Sequence, residues 1–545
     1  MAWQSLGNNT RLTSFLFGGA VLATTVTMLL QQPQTGVGHD LVSFVAPLDG
    51  VLGGYSSLYD SFFNDTPPGI HTILFPWIWL FSSHPWSMYA LHISLLVLHQ
   101  ALLLGVIRQH SKPSIAFALF AFVSLIAISH DVFGDMLLTT ELSGNVLVLA
   151  AIWLYVRFNL ESSNTRRHLQ AQTLGLCLTI FAFWVREVYI YAVVVAIGMI
   201  VYEHLKSGRS LPRLFAVASW GSLLGTFPIV ALLMLTEGVR PYVFVLEFKR
   251  GLYPLPNPLD VVTAPLTVAA RFSELVGIPS ALLVACILAA GARSSHHRQR
   301  IFVSLALVTV GGFAFAWQGK EMSGHYLAAL LPVLAFLMIT VGQILAQLPT
   351  AKGARYLGTL ILLLPLPIVL RHSGNPLTDV KTPSTWWSEV GSQVGSSELP
   401  TLSTLDALPP CIQRAYGWAA GMSYRLNQVP PCSKYFLPNL IVDAPFHQLQ
   451  FKLELLRRPP DIVLYSGGSG ADLNIEHFEN VVMPWQQLLR TCYRQIENST
   501  EFHSRLTTSD LRECMMPIVA DQVFANLRTL QSTDRPWQNL LTPPV

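Results

Sequence analysis

The sequence predicts a polytopic α-helical membrane protein with a C-terminal soluble α/β domain. Hydrophobic residues make up 51% of its 545 residues and charged residues only 12%, about half the charged share of ordinary soluble domains. Apolar runs long enough to cross a bilayer follow one another up to residue 371, whereas residues 372–545 have ordinary polar content. We therefore place a transmembrane domain at residues 1–371 and an extracytoplasmic domain at residues 372–545.

Eleven apolar runs are predicted to cross the membrane. The first, Leu12 to Leu30, follows Arg11 and is too long for a typical secretory signal, so we interpret it as a retained signal anchor. Segment 67–81 is apolar but short and opens with two prolines, which favours a juxtamembrane or re-entrant helix. The other runs are 87–107, 113–130, 142–158, 172–185, 188–203, 213–235, 278–292, 300–316, 325–346 and 355–371.

The distribution of Lys and Arg predicts the orientation, because short cytoplasmic loops are enriched in these residues. If segment 67–81 does not cross, one side of the membrane holds 14 Lys and Arg and the other holds six. The positive-inside rule then places the N-terminus in the cytoplasm and the C-terminal domain outside. The small net charge of +3 argues neither for nor against nucleic acid as a partner. The absence of a basic stripe laced with aromatic residues, in a membrane-embedded chain, argues against it.

The C-terminal domain has the composition of a compact soluble unit. Its run Asp461–Tyr465, followed by Gly and Ser, is typical of a strand that ends in a turn. Its four cysteines fit disulfides in an oxidising compartment and allow three connectivities. Sequence closeness favours Cys411–Cys432 and Cys492–Cys514, whereas Cys177 and Cys286 lie in spans and behave as small apolar residues.

The stretch from Gly38 to Phe75, here called the Asp-rich stretch, is interpreted as an outer loop and is the strongest functional candidate. It holds four Asp and two His, and no Lys or Arg occurs between Arg11 and Arg108. Acids near the end of a span are costly and usually mark a functional site. Asp40, directly after His39, is our candidate for a catalytic carboxylate, and Asp49 is the substitute. The alternative is a structural role for Asp40, either as an acid at a helix end or as an acid that is hydrogen-bonded to a tyrosine.

Several cations on the predicted outer face depart from the positive-inside pattern. Lys249 and Arg250 lie in the long segment Glu237–Gly277, which we interpret as a binding loop or lid, and Lys320 lies in a shorter loop. Outer cations beside acids suit a phosphate-bearing ligand. The alternative for Lys320 is a side chain at the membrane interface that extends its charged end into water. The alternative for Arg250 is a solvated charge on a loop.

These features occur in an order that resembles the GT-C glycosyltransferases, such as the protein O-mannosyltransferases and the aminoarabinose transferase of lipid A. The resemblance covers most of the chain, and each motif alone is loose. It implies a bacterial inner-membrane enzyme that transfers a sugar, with inversion, from a polyprenyl-phosphate donor to a lipid, glycan or protein acceptor. The matching residues are His39-Asp40, Gly53-Gly54-Tyr55 through Tyr59, Thr66-Pro67-Pro68-Gly69, Glu141 to Asn145, Arg186, His325 to Pro332, and Tyr416-Gly417-Trp418 through Phe436.

The resemblance also implies roles for individual residues. Asp40 would take the proton of the acceptor hydroxyl, and cations would stabilise the departing phosphate. The candidate cations are Arg186, Lys249, Arg250 and Lys320, and further substrate contacts are His39, Asp49, Tyr59, Glu141, His325 and Tyr326. For His325 and Tyr326 the alternative is an aromatic anchor at the membrane interface.

The sequence departs from the GT-C families at two positions, and these differences leave the class of the transferred sugar open. Thr66 stands where the aminoarabinose transferase has a Lys, and Asp40-Leu41 stands where an acidic pair is expected. Asp131, Asp135 and Glu141 are potential ligands of a divalent cation, but three acids do not establish a metal site. We predict no obligatory metal; activity that is lost in chelator and restored by magnesium or manganese would show this prediction to be wrong.

The rival interpretation is a secondary transporter or a lipid-handling membrane protein whose outer domain binds a ligand. Coupling-ion residues would then be expected midway through the spans. Charged residues are scarce there, which favours the enzyme.

Overall fold

The computed structural model describes most of the predicted membrane part and a smaller share of the C-terminal part. The described residues are 18–26, 39–54, 57–59, 66–83, 85–108, 113–129, 140–161, 165–206, 211–252, 278–292, 295–317, 328–346, 411–416, 432–433, 435, 445–465, 482–495, 502–505 and 513–520, with single positions at 259, 263, 266, 270 and 523.

The chain forms two compact units. Unit 1 comprises Met1–Thr35, Thr66–Leu235 and Tyr253–Lys381, and unit 2 comprises Gly36–Asp65, Thr236–Leu252 and Thr382–Val545. Unit 2 thus includes two stretches that lie before the predicted domain boundary, and the boundary itself, between residues 371 and 372, lies outside the described residues.

The described helices and strands are named here in chain order. The helices are α1 (18–26), α2 (His39–Leu52), α3 (Pro68–Phe81), α4 (Pro85–Arg108), α5 (Pro113–Ser129), α6 (Thr140–Glu161), α7 (Thr165–Val185), α8 (Ile190–Lys206), α9 (Leu211–Leu235), α10 (Val239–Leu252), α11 (Ile278–Ala292), α12 (Ser295–Trp317), α13 (Leu331–Ala346), α14 (Pro445–Arg457), α15 (Trp485–Cys492) and α16 (513–520). A 3₁₀ turn, Glu187–Tyr189, joins α7 to α8. The strands are β1 (Ile412–Tyr416), β2 (Ile462–Tyr465), β3 (Tyr493–Gln495) and β4 (Phe502–Arg505).

The helices of unit 1 make this an integral membrane protein with several apolar spans. Within the described part, five helical segments are long and apolar enough to cross a membrane: Ser87–Arg108, Arg166–Val185, Glu187–Leu205, Leu211–Leu235 and Ala328–Leu345. Five other apolar helices of that part are shorter. The predicted first span is described only at 18–26 and the predicted span 355–371 lies outside the described residues, so the number of eleven stays a prediction.

The short apolar segment 67–81 folds as α3. Its 14 residues reach only about 21 Å at the rise of an α-helix, less than the roughly 30 Å of a bilayer core. Gly69 lets α3 lie directly on the end of α7, because a Cβ at this position would come within 2.4 Å of the backbone of Trp184 and Val185.

Glycines also bring α9 close to α7. Gly221 and Gly225 form a G-x-x-x-G pair, and a Cβ at Gly225 would lie 2.7 Å from the carbonyl oxygen of Cys177. Small residues at this spacing allow membrane helices to approach closely. The main apolar core, by contrast, lies among α4, α5, α6, α11, α12 and α13, with buried side chains such as Leu103, Phe120 and Met338.

Unit 2 contains a four-stranded mixed sheet in the order β1-β2-β4-β3. β1 and β2 are parallel, with Ile412 opposite Ile462, and the chain between them includes α14. A parallel pair requires such a crossover. β4 is antiparallel to both β2 and β3. The predicted strand at Asp461–Tyr465 is present as β2.

The predicted disulfide pairing is confirmed. Cys411 is bonded to Cys432 and Cys492 to Cys514. Cys177 in α7 and Cys286 in α11 are free, as predicted for cysteines in spans.

Two stretches that we interpreted as loops contain helices, so the prediction is wrong for these residues. In the Asp-rich stretch, α2 buries Phe44 and Leu48 one turn apart. In the segment Glu237–Gly277, α10 buries Tyr242 and Val245 three residues apart. Each helix buries one apolar face. The helices were not predicted because proline and charged residues within these segments are typical of loops.

Candidate functional site

A buried ion pair lies at the first turn of α6. The carboxylate of Glu141 faces Arg186, with 3.4 Å between Oε1 and the guanidinium Nε, and the two side chains are 3% and 14% exposed. Thr140 completes the group, because its hydroxyl donates to Oε2 of Glu141 at 3.0 Å and accepts from Nη1 of Arg186 at 3.3 Å. Each of the three side chains therefore contacts the other two.

Local backbone geometry positions Arg186. α7 ends at Val185, and Arg186 adopts an extended conformation (φ −154°, ψ 128°) between α7 and the 3₁₀ turn. Its backbone N–H donates to the carbonyl of Ala182 at 2.9 Å, and its carbonyl accepts from Tyr189 N at 3.1 Å. The guanidinium is thus held at a junction between two apolar helices rather than on a flexible loop.

Tyr189 and Asn145 continue this network. The hydroxyl of Tyr189 lies 2.8 Å from both the Glu141 carbonyl and Oδ1 of Asn145, and its single proton serves one acceptor at a time. Asn145 donates from Nδ2 to the carbonyl of Ala328 at 2.7 Å, which fixes the orientation of its amide. Gly144 leaves room for the ring, since a Cβ there would lie 2.0 Å from Cε2 of Tyr189.

A second tyrosine holds the turn that precedes α13. Tyr191 donates to the carbonyl of Ala329 at 2.7 Å, next to the carbonyl that Asn145 holds. The turn 328–330 begins two residues after Tyr326 in the sequence, and both His325 and Tyr326 lie outside the described residues. The network of unit 1 therefore joins the first turn of α6, the α7–α8 junction and the start of α13.

Unit 2 contains a separate cluster around Tyr59. Its ring is 2% exposed and lies 5.3 Å from that of Tyr242 on α10. The neighbouring Leu58 N–H donates to the carbonyl of Thr236 at 3.2 Å. Tyr59 has φ of +72°, a left-handed conformation that is uncommon for a residue other than glycine and clusters at functional sites.

A chain of rings connects α10 to α14. The ring of Phe244 lies 5.1 Å from that of His447, and Nδ1 of His447 lies 2.8 Å from the hydroxyl of Tyr435. Tyr435 donates to Oε1 of Gln450 at 2.6 Å, so its oxygen accepts from His447. Burial raises the pKa of Tyr435, which keeps its hydroxyl protonated as a donor.

For several other predicted site residues, the structure describes the position of the backbone. His39 and Asp40 lie in the first turn of α2, and Lys249 and Arg250 lie near the end of α10, whereas the side chains of all four are outside the described set. Asp49 lies later on α2, is half-buried and accepts from Gly53 N through its carbonyl.

Of the predicted site residues, the structure brings together Glu141 and Arg186. Lys320, His325 and Tyr326 lie outside the described residues, as do Asp131 and Asp135. A convergence of Asp40 with the outer cations therefore stays a prediction. Within the described ranges, no group of three or more His, Cys, Asp or Glu side chains could hold a metal ion.

Sequence reasoning missed the contacts of the other members of the unit 1 network, which are Thr140, Asn145, Tyr189 and Tyr191. Asn145 lies within the motif Glu141 to Asn145, but its partner is far away in sequence. The only signal for the tyrosines was their position directly after Arg186, in Glu187-Val188-Tyr189-Ile190-Tyr191.

Two solved structures are similar to this chain over nearly its whole length. The Archaeoglobus fulgidus oligosaccharyltransferase in complex with Zn and sulfate matches with a TM-score of 0.53 and 9% identity, over 92% of this chain and 76% of that chain. ArnT from Cupriavidus metallidurans bound to undecaprenyl phosphate matches with a TM-score of 0.53 and 12% identity, over 91% of this chain and 98% of that chain. The chain has a GT-C-like fold.

The GT-C-like fold confirms the resemblance drawn from the sequence motifs. No protein-family model and no curated protein sequence matches the chain, so the likeness lies in the arrangement of the chain rather than in overall sequence similarity. At these identities it establishes the fold alone, and the function has to be argued from the side chains.

Proposed function

We propose that the protein is a glycosyltransferase that moves a sugar from a polyprenyl-phosphate-linked donor to an acceptor on the extracytoplasmic face. The observation that carries this proposal is the buried Glu141–Arg186 pair in a GT-C-like fold. ArnT from Cupriavidus metallidurans binds undecaprenyl phosphate, and we infer a lipid phosphate of this class for the present chain. The acceptor is a lipid, a glycan or a protein.

Arg186 is the proposed phosphate-binding cation. A guanidinium presents a rigid fork of N–H donors that suits phosphate oxygens. Glu141 and Thr140 orient it before the donor binds, and a preorganised cation stabilises the charge that develops on the departing phosphate. Lys249, Arg250 and Lys320 are proposed as supporting cations.

Asp40 is the proposed general base. Its carboxylate takes the proton of the acceptor hydroxyl while the acceptor oxygen attacks the anomeric carbon of the sugar. The bond between that carbon and the phosphate oxygen breaks, the configuration inverts, and polyprenyl phosphate leaves. Asp49 is the substitute base, whereas His39, Tyr59, His325 and Tyr326 are proposed substrate contacts.

The proposed topology is the one that the charge distribution predicts. It has eleven spans, the N-terminus in the cytoplasm, and an extracytoplasmic α/β domain in the C-terminal part, in a bacterial inner membrane. We propose that no metal is obligatory, so transfer should continue in excess EDTA. Activity lost in EDTA and restored by magnesium or manganese would contradict this part of the proposal.

The function is tested in proteoliposomes that contain the purified full-length protein. A panel of polyprenyl-phosphate-linked hexoses and pentoses is offered with lipid, glycan and peptide acceptors, and released polyprenyl phosphate is measured by mass spectrometry. We expect release with at least one donor, abolished by Asp40→Asn while the variant stays folded and inserted. If Asp40→Asn retains turnover and Asp49→Asn loses it, the general base is Asp49 and not Asp40.

The same preparation tests the alternative function. A secondary transporter or lipid-handling protein would move a labelled ligand across the liposome membrane without breaking the bond between sugar and phosphate. Movement of intact donor with no release of polyprenyl phosphate from any donor would contradict the proposed glycosyltransferase.

A further inference from the structure

Tyr189 contacts the backbone of both members of the ion pair. Its N–H donates to the carbonyl of Arg186 at 3.1 Å, and its hydroxyl lies 2.8 Å from the carbonyl of Glu141. The second acceptor within reach of the hydroxyl, Oδ1 of Asn145, also belongs to α6. Whichever acceptor the single proton serves, the hydroxyl therefore ties α6 to the α7–α8 junction that carries Arg186.

Tyr189 itself is held firmly in place. Its ring is fully buried and lies against Gly144, where a Cβ would come within 2.0 Å of Cε2 of the ring. Its hydroxyl faces Asn145, whose amide is oriented by the hydrogen bond from Nδ2 to the carbonyl of Ala328 at 2.7 Å. A side chain that is fixed at both its ring and its hydroxyl is a rigid support for neighbouring functional groups.

The ion pair requires such a support because its own contacts are long. The 3.4 Å between Nε of Arg186 and Oε1 of Glu141 exceeds the length of about 2.7–2.9 Å of a charge-assisted hydrogen bond, and Oε1 has no hydrogen-bond partner among the described residues. The contact from Nη1 to the Thr140 hydroxyl is also long, at 3.3 Å. The position of the guanidinium relative to Glu141 therefore depends on the distance between the two backbones, and Tyr189 bridges them.

We propose that Tyr189 is a positioning residue for recognition of the donor phosphate, an inference that rests on the proposed role of Arg186. The hydroxyl of Tyr189 holds the start of α6 at a set distance from the α7–α8 junction. Glu141 and Thr140 then direct the guanidinium toward the phosphate, which Tyr189 itself does not touch. Without the hydroxyl the two backbones can separate, and a small displacement of a binding group strongly reduces what it contributes.

Tyr189→Phe tests this inference, because it removes the hydroxyl and keeps the ring. The affinities of the purified full-length protein for undecaprenyl phosphate and for undecaprenol are measured, and their ratio reports the contribution of the phosphate. We expect Tyr189→Phe to lower this ratio about three- to tenfold, as the loss of one hydrogen bond implies, with the affinity for undecaprenol unchanged. A merely structural role would lower binding of both lipids alike, because unfolded protein binds neither, and would leave the ratio as it is.

Two further variants assign the effect to Arg186. Tyr155→Phe removes a hydroxyl that donates to the carboxylate of Glu203, about 21 Å along α6 from Glu141 at 1.5 Å per residue, and should keep the ratio. The double variant Tyr189→Phe/Arg186→Gln should have the same ratio as Arg186→Gln alone, because Tyr189 acts through Arg186. A further decrease in the double variant, or an equal decrease in Tyr155→Phe, would overturn the proposal.

The outcomes separate this inference from the proposed function. Equal affinity of the wild-type protein for the two lipids would contradict both, since there would be no phosphate recognition for Tyr189 to support. A preference for the phosphate that Arg186→Gln lowers and Tyr189→Phe leaves unchanged would overturn the role of Tyr189 alone.

Discussion

The guanidinium Nε of Arg186 lies 3.4 Å from the carboxylate Oε1 of Glu141, and the hydroxyl of Thr140 contacts both side chains. The pair joins the first turn of α6 to the junction of α7 and α8. Both charges are largely removed from water, so each depends on the other, because a buried charge without its partner is strongly destabilising.

A double-mutant cycle measures this dependence. Arg186→Gln and Glu141→Gln should each lower the thermal unfolding midpoint, by the equivalent of about 2–4 kcal/mol, and the double variant should lose less than the sum. The exposed residues Glu237 and Arg240 provide the matched control cycle, in which we expect changes within about 0.5 kcal/mol. Strictly additive losses at Arg186 and Glu141 would show that the two side chains do not interact energetically.

Gly144 should be intolerant of any side chain. A Cβ there would lie 2.0 Å from the buried ring of Tyr189, so Gly144→Ala must displace a ring that binds Asn145 and the Glu141 carbonyl. We expect a destabilisation of about 1–3 kcal/mol, as is typical of overpacking. Gly198→Ala on α8, where nothing lies within 4 Å of the added Cβ, should be neutral or stabilising. Equal midpoints for the two variants would contradict the packing described here.

The sequence predicted the long apolar helices well, because hydrophobicity over about 20 residues is a strong signal. The predicted span 213–235 corresponds to α9 (Leu211–Leu235), and the predicted span 87–107 corresponds to α4 (Pro85–Arg108). It failed at α2 and α10, where Pro47 and the charges of α10 suggested loops. Both helices are short and amphipathic, so no single window of residues is apolar enough to reveal them.

The sequence identified residues of the candidate site, but it did not predict the contacts between them. The sequence identified Glu141 as a candidate substrate contact and Arg186 as a candidate cation for phosphate, yet no local sequence pattern indicates that the two side chains pair. The hydrogen bond from Asn145 to the carbonyl of Ala328 spans 183 positions in the sequence, and only the folded chain brings such groups together. The disulfides were predictable because each bridge joins cysteines that are close in sequence.

The disulfides should stabilise unit 2. Cys492 and Cys514 are 22 positions apart, and a bridge that closes a loop of this length contributes about 3 kcal/mol. A Cys492→Ser/Cys514→Ser double variant should therefore unfold at a lower temperature, and reductant should no longer lower its midpoint as much as that of the wild-type protein. Cys286→Ser, at a free cysteine, is the control and should change the midpoint little. Equal midpoints for all three proteins would contradict the assigned bridge.

Lys452 should give unit 2 a pH-dependent stability. It is 1% exposed on α14, and burial lowers its pKa to about 8, from the ordinary 10.5. Between these values the unfolded chain binds more protons than the folded one, so stability should rise with pH across this window. The midpoint of the wild-type protein relative to Lys452→Met should therefore increase from pH 7.5 to 9.5. A constant difference between the two proteins would contradict the lowered pKa.

The most direct test of the proposed lipid-phosphate recognition is binding of undecaprenyl phosphate by the purified full-length protein, measured against undecaprenol, which lacks the phosphate. We predict that the protein binds undecaprenyl phosphate more tightly than undecaprenol. Arg186→Gln should reduce the ratio of the two affinities at least about tenfold, the cost of one charge-assisted contact, whereas Arg240→Gln should leave this ratio unchanged. Equal affinity for the two lipids, or an unchanged phosphate preference in Arg186→Gln, would contradict the proposed role of Arg186.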